Sequence, residues 1–212
     1  MTDVTFEVRF HSRPTGRAPI RHHPIVATPT IRPARDADLD QIRAIYDSIV
    51  TDTVISFEET TPTRDELAGR MRSRPRLPWL VAESNGDVVG YACAGRHRER
   101  SAYRWSVDCS VYVAETHRGR GVGRLLLEHL IAELRDLGYA SVVAGIALPN
   151  PPSIRLHEAL GFRPVGVFPN VGFKHGAWRD VGWWSLQLAP ALPVAPEDPR
   201  AWHPNAYPEP PS

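Results

Sequence analysis

The run Val107-Asp108-Cys109-Ser110-Val111-Tyr112-Val113, followed after four residues by Arg118-Gly119-Arg120-Gly121-Val122-Gly123-Arg124, decides the fold. The first part belongs to an apolar, β-branched stretch, Tyr103 to Val113, that reads as a strand. After the second, Val122, Leu126, Leu130, Leu134 and Leu137 step by helical intervals, marking a buried helix face closed by Gly138. Strand, glycine loop and helix in this order aim unpaired backbone N–H groups and a helix dipole at an anion. The flanking arginines add charge-assisted hydrogen bonds. A nucleotide-binding P-loop would need Lys and then Ser or Thr, where this chain has Arg124-Leu125. A dinucleotide fingerprint would need wider glycine spacing and an early parallel βαβ unit. The bland alternative is a solvated basic turn.

Outward from this stretch, helix-period and strand-period segments alternate. Leu39, Ile42, Ile45, Tyr46 and Ile49 predict a helix behind Asp36 and Asp38, which can cap it. Thr63 and Glu66 have the form of a capping box, with a helix to about Ser73. Leu77–Glu83 and Asp87–Ala94 flank Asn85-Gly86, a strong hairpin signal. Ala140–Leu148 predicts a strand, Pro151–Leu160 a short helix, and Phe162–Phe168 and Trp178–Leu188 two more strands, with Ile31–Pro33 a further candidate. The predicted class is α/β (α+β), with a central mixed, largely antiparallel sheet flanked by helices.

Composition bounds the rest. The 212 residues carry 25 Lys plus Arg against 24 Asp plus Glu, a net charge of +1, without the basic excess that nucleic-acid binding needs. No apolar run approaches a membrane span, and the start has no signal-peptide stretch, so a cytoplasmic location is expected. Cys93 and Cys109 are too few for a disulfide scaffold and badly spaced for zinc, and no metal is expected. Pro14, Pro19, Pro24 and Pro29, and eight further prolines from Pro190 onward, mark extended ends. Residues 1–30 and 190–212 are therefore expected to be poorly ordered tails around a domain spanning 31–189. A weak alternation at Val4–Phe10 could be a strand, and His22-His23 lack companion ligands.

The pattern Arg118-x-x-Gly121-x-Gly123, after a strand and opening a helix, resembles the pyrophosphate loop of the GNAT superfamily of acetyltransferases. Asn150, with Ser153 and Leu156-His157-Glu158-Ala159-Leu160-Gly161-Phe162 behind it, resembles that superfamily's pantetheine-binding element. By its residue type alone, Asn150 could equally be a helix N-cap before Pro151. Tyr103-Arg104-Trp105, Leu148-Pro149-Asn150 and Gly172-Phe173-Lys174-His175-Gly176-Ala177-Trp178 are similar to the phosphinothricin and methionine-sulfoximine N-acetyltransferases, over Ile31–Leu188. The resemblance implies an acyl-CoA N-acyltransferase fold and acetyl-CoA as co-substrate. It further implies a small-molecule acceptor, the α-amino group of a glutamate-like amino acid, and a homodimer.

Acetyl transfer from a thioester to an amine requires that the amine lose a proton, that the carbonyl oxygen be stabilised and that thiolate leave. The resemblance implies that Val111, Tyr112 and Val113 offer main-chain groups to the cofactor arm. It implies that Arg118, Gly119, Arg120, Gly121, Val122, Gly123 and Arg124 hold the diphosphate, and that Asn150 and Ser153 hold the pantetheine. Asp108 interrupts an apolar strand and is either a base or a solvated acid. The resembled family usually has Glu there as proposed base, and the shorter Asp suggests a relay through one water. His157 beside apolar positions reads as a packed residue, and the resemblance makes it a catalytic candidate. Arg96, Arg98, Arg100 and Arg104 cluster around Tyr103, and arginine forks suit carboxylates. Arg98, Arg100 and Tyr103, with Phe57 as an apolar wall, are the expected acceptor contacts. Trp183 and Trp184 suggest core or dimer packing.

Overall fold

The computed structural model describes residues 28–189 and 191–204. The stretch Val4–Phe10 and the pair His22-His23 lie outside the described residues. Seven strands, β1 (Thr30–Pro33), β2 (Trp79–Ser84), β3 (Asp87–Arg96), β4 (Ser106–Val113), β5 (Ser141–Ala147), β6 (Arg163–Lys174) and β7 (Ala177–Gln187), form one sheet. Four helices, α1 (Leu39–Asp52), α2 (Arg64–Met71), α3 (Val122–Asp136) and α4 (Pro151–Ala159), flank it. The strand order is β1-β2-β3-β4-β5-β7-β6. Every neighbour is antiparallel except β4–β5, so the expected mixed, largely antiparallel sheet is the one observed.

Period-two alternation divides the core between the two sheet faces. Val107, Cys109, Val142, Ala144 and Trp184 point to the α3 side, where Leu126, Leu130 and Leu134 are fully buried. Each such leucine contributes roughly 1.5–3 kcal/mol through removal from water. Trp79, Val81 and Tyr91 face the other side, against Ile42, Tyr46, Ile49 and Leu67 of α1 and α2. Tyr112 of β4 joins this second face, its ring 5.0 Å from that of Tyr46.

Local signals act as the residue types dictate, with some exceptions. Thr63 and Glu66 form the reciprocal capping box of α2. Asn85 and Gly86 both have positive φ, as a two-residue hairpin turn demands. Asp38 stands at the N-cap of α1 without a side-chain cap bond, because its carboxylate is held by the Arg32 fork at 2.7 and 2.8 Å. The strand expected from Tyr103 begins only at Ser106, since Ser101–Tyr103 turns as a 3-10 helix. The strand expected to end at Phe168 runs on to Lys174, through an irregularity between Phe168 and Gly172.

The expected boundary at residue 189 is corrected by the segment that follows. Trp202 is 2% exposed within the α3-side core and donates from Nε1 to Glu133 at 3.1 Å. The Arg200 amide donates to Leu137 O, and the Trp105 indole to Glu197 O, both at 2.8 Å. Within residues 191–204 the proline-rich chain forms an extended strap, because one aromatic side chain supplies enough apolar surface to anchor it.

Candidate active site

The site begins where the sheet stops being continuous. β4 and β5 pair only from Ser106↔Ser141 to Asp108↔Val143. Beyond Asp108 each strand keeps its outer partner, β4 with β3 to Val113 and β5 with β7 to Ala147, while facing main-chain edges separate. A cavity of about 60 Å³ fills this splay, lined by Cys109–Tyr112 on one side, Ala144–Ala147 on the other, and by His157. It adjoins a larger cavity of about 460 Å³, the two sharing Ile55, Val111, Tyr112, Asn150 and Ser153. Of the residues expected to hold the cofactor, Val111, Tyr112, Val113, Arg118, Gly119, Gly121, Val122, Gly123, Arg124, Asn150 and Ser153 line the larger cavity. Arg120 is exposed and does not.

The glycine loop closes one end of this cavity. Gly119 and Gly121 have φ of 73° and 83°, a left-handed backbone that a side chain would strain. Nothing lies within 4 Å of where a Cβ would stand on either, so the space over the loop is open. Thr63 and Asn150 cap α2 and α4 with their side chains, but Gly121 at the start of α3 provides no such bond. The first N–H groups of α3, unpaired within the helix, therefore face a cavity walled by Arg118 and Arg124. Such a cradle fits a diphosphate in charge and in donor count. At Gly123 the constraint is contact: a Cβ would come within 3.3 Å of Leu156 Cδ2 on α4.

Asn150 fills its structural role and keeps a functional one open. Its Oδ1 accepts from the Ser153 amide at 3.2 Å, capping α4. Its Nδ2 has no partner among the described residues, and the side chain borders both cavities. One turn beyond Ser153, His157 is 4% exposed, and its Nδ1 lies 2.8 Å from Ser153 O. A carbonyl only accepts, so Nδ1 carries the proton and Nε2 is bare in the neutral ring. Burial pushes this imidazole below its ordinary pKa, against a weaker lift from the Ser153 carbonyl.

Asp108 stands at the apex of the splay, on the sheet face opposite Cys109. Its Oδ1 is 2.7 Å from Nδ1 of His97, which follows the end of β3. Burial raises the Asp108 carboxyl above the usual range, while the His97 hydrogen bond pulls the other way. His97 escapes sequence reasoning because it sits among arginines. The only signal is register, since Gly95 pairs with Asp108 and brings the following residues of β3 beside it.

The expected acceptor contacts divide. Arg98 stacks over the Trp183 ring at 5.8 Å, and the Tyr103 ring lies 5.9 Å from His97. Trp183 packs over Gly145 of β5, on the same face as Asp108, while Trp184 is buried in the core. Arg100 borders, with Arg98 and Tyr103, a depression of about 30 Å³ that also takes in Val107 and Tyr139 of the α3-side core. Phe57 is 38% exposed and packs on Gly172 of β6, where a Cβ would overlap its ring. From the same loop it is Ile55, which sequence reasoning passed over, that reaches both cavities. Lys174 fixes this loop: buried, it donates to Val50 O, Ser56 O and Glu58 O at 2.7, 2.6 and 2.8 Å. Among the described residues, no group of three His, Cys, Asp or Glu could hold a metal.

A splayed parallel pair ending at a glycine cradle is the architecture of acyl-CoA-dependent acetyl transfer. Residues 42–162 match the Acetyltransferase (GNAT) family, and the chain belongs to it. It is 42% identical over 170 residues to a phosphinothricin N-acetyltransferase of Streptomyces viridochromogenes, covering 78% of this chain and 93% of the relative. Identity to an L-methionine sulfoximine/L-methionine sulfone acetyltransferase of Salmonella typhimurium is also 42%, over 161 residues, 75% of this chain and 94% of the relative. A GNAT superfamily phosphinothricin acetyltransferase from Sinorhizobium meliloti, crystallised in complex with AcCoA, superposes with a TM-score of 0.77. It is 38% identical, with 80% of this chain and 94% of that chain covered.

Proposed function

We propose that this chain transfers an acetyl group from acetyl-CoA to the α-amino group of a glutamate-like amino acid, with L-phosphinothricin and methionine sulfoximine or sulfone as acceptors. The observation that carries the reading is the splay beyond Asp108, which opens the sheet into a cavity running to the glycine cradle. When bound, acetyl-CoA supplies the activated acetyl group. The α3 N-terminus with Arg118, Gly119, Gly121 and Arg124 would hold its diphosphate, and Asn150 and Ser153 with the free edge of Val111–Val113 its pantetheine. Attack within a ternary complex needs no cysteine: burial pushes the Cys109 thiol up, away from thiolate. We assign His157 a proton-relay role, because its bare Nε2 borders the splay and can take up a proton and return it. Arg98, Trp183 and Tyr103 are favoured over Arg100 as acceptor contacts, since Arg98 stacks on Trp183 and Tyr103 stands edge-on to His97, the partner of Asp108.

The same reading includes a homodimer. Val165, Val167, Phe168, Val171, Phe173 and Trp178 of β6 and β7 are all more than half exposed, and large apolar side chains gathered on two paired strands suit an interface. Sedimentation of the wild-type chain and of Phe168→Glu tests this, the variant shifting to monomer. No helix among the described residues is long and apolar enough to cross a membrane, and we take the enzyme to act in the cytoplasm. Thiol release from acetyl-CoA over a panel of amino acids, phosphinothricin, methionine sulfoximine and cationic amines tests the activity. Release with the glutamate-like acceptors, and not with the cationic amines, is expected. Release only with cationic amines would overturn the acceptor assignment, and none at all the enzymatic one.

A further inference from the structure

His97 and Asp108 form a two-residue unit that the reaction outlined above leaves without a task. A carboxylate has only acceptor sites, so the 2.7 Å contact fixes the proton of a neutral His97 on Nδ1 and leaves Nε2 with a lone pair. Among the described residues, the buried side-chain nitrogens and oxygens without a partner are Arg76 Nε and Trp183 Nε1. His97 Nε2 makes no hydrogen bond and is not among them, so it is open to a partner from outside the chain. The pair stands where β4 and β5 part, and Asp108 immediately precedes Cys109, the first residue of β4 to line the small cavity. The groups recorded against His97 are Asp108 from β4, Arg98 from its own loop, and the edge-on ring of Tyr103. Arg98, stacked over the Trp183 ring, places a cation beside the pair.

We propose that His97 is the base that deprotonates the acceptor ammonium, and that Asp108 is a positioning residue that sets the ring's tautomer. The inference rests on the acetyl-transfer reading above. Asp108 need not reach the amine through water, because the imidazole held on its Oδ1 extends the reach by a ring. Nε2 takes one proton from the ammonium, giving an imidazolium whose Nδ1–H stays on the Asp108 carboxylate. The freed nitrogen lone pair forms the bond to the acetyl carbon as the carbon–sulfur bond breaks. The second nitrogen proton passes by way of His157 Nε2 to the departing thiolate, leaving the amide and free thiol. The proton on His97 then returns to water.

The test compares wild type with His97→Gln, His97→Ala and Asp108→Asn in the thiol-release assay with methionine sulfoximine, across pH. For the His97 variants kcat falls at least roughly 100-fold, while acetyl-CoA affinity and thermal midpoint hold. The limb of kcat/KM that rises with pH disappears in His97→Gln, and added imidazole restores turnover to His97→Ala. Asp108→Asn keeps that limb but shifts it to lower pH, since the imidazolium loses its counter-charge. Persistence of the limb in His97→Gln with its loss in Asp108→Asn would make Asp108 the base and overturn the proposal. So would His97 variants with unchanged kcat, or a loss that imidazole does not rescue. A wild-type chain that releases no thiol with any amino acid overturns the underlying activity as well, an outcome separate from every variant result.

Discussion

His157 shows how one side chain carries a cost as well as a role. Its buried, neutral ring binds no second proton until the pH falls below the ordinary imidazole value of about 6.5. In that window the unfolded chain takes up a proton that the folded one refuses, so stability falls as pH falls. We expect His157→Gln to lose less stability than wild type between pH 7 and 5, read from urea midpoints at each pH, and to turn over more slowly. Lys174 has the opposite character, since it is fully satisfied by three carbonyls. Lys174→Met should cost about 3 kcal/mol by orphaning them, and should speed amide exchange at residues 55–58. The type and place of Asp108 are legible from its interruption of an apolar strand. Its partner is not, because His97 acquires meaning only from a register between two strands ten residues apart in sequence.

At the scale of elements, the glycine loop and its helix are read almost entirely from spacing. The leucine steps fix the buried face of α3, and the left-handed backbone at Gly121 is a demand that few other residue types meet. Gly121→Val should weaken acetyl-CoA binding at least tenfold by calorimetry, through a strained loop and a filled approach over the cradle. Unchanged affinity would remove the loop from the binding site. The edges of elements are harder to read. Tyr103 has strand propensity, yet it closes a 3-10 turn because Arg104 and Trp105 are tied to the strap at Asp198 and Glu197. β6 outruns its expected end because the whole of β7 is available to pair with it, a long-range fact that no local window contains.

For the whole molecule, tertiary contacts overrule composition most clearly at the strap. A proline-rich segment reads as a loose end until one notices that Trp202 has a core to enter, and that core is assembled from strands and helices far away in sequence. Trp202→Ala should cost roughly 3–5 kcal/mol, measured by urea denaturation. The sheet carries a different kind of consequence. Its two halves are joined along β4–β5 by three residue pairs, and on the proposed function the rest of that boundary is what acetyl-CoA would span. Occupancy thereby becomes cohesion, worth about 2.7 kcal/mol when a ligand stands at roughly 100 times its dissociation constant. A cell starved of acyl donors would then hold a less durable population of this protein. Its lifetime against proteases would follow nutrient supply with no dedicated regulator.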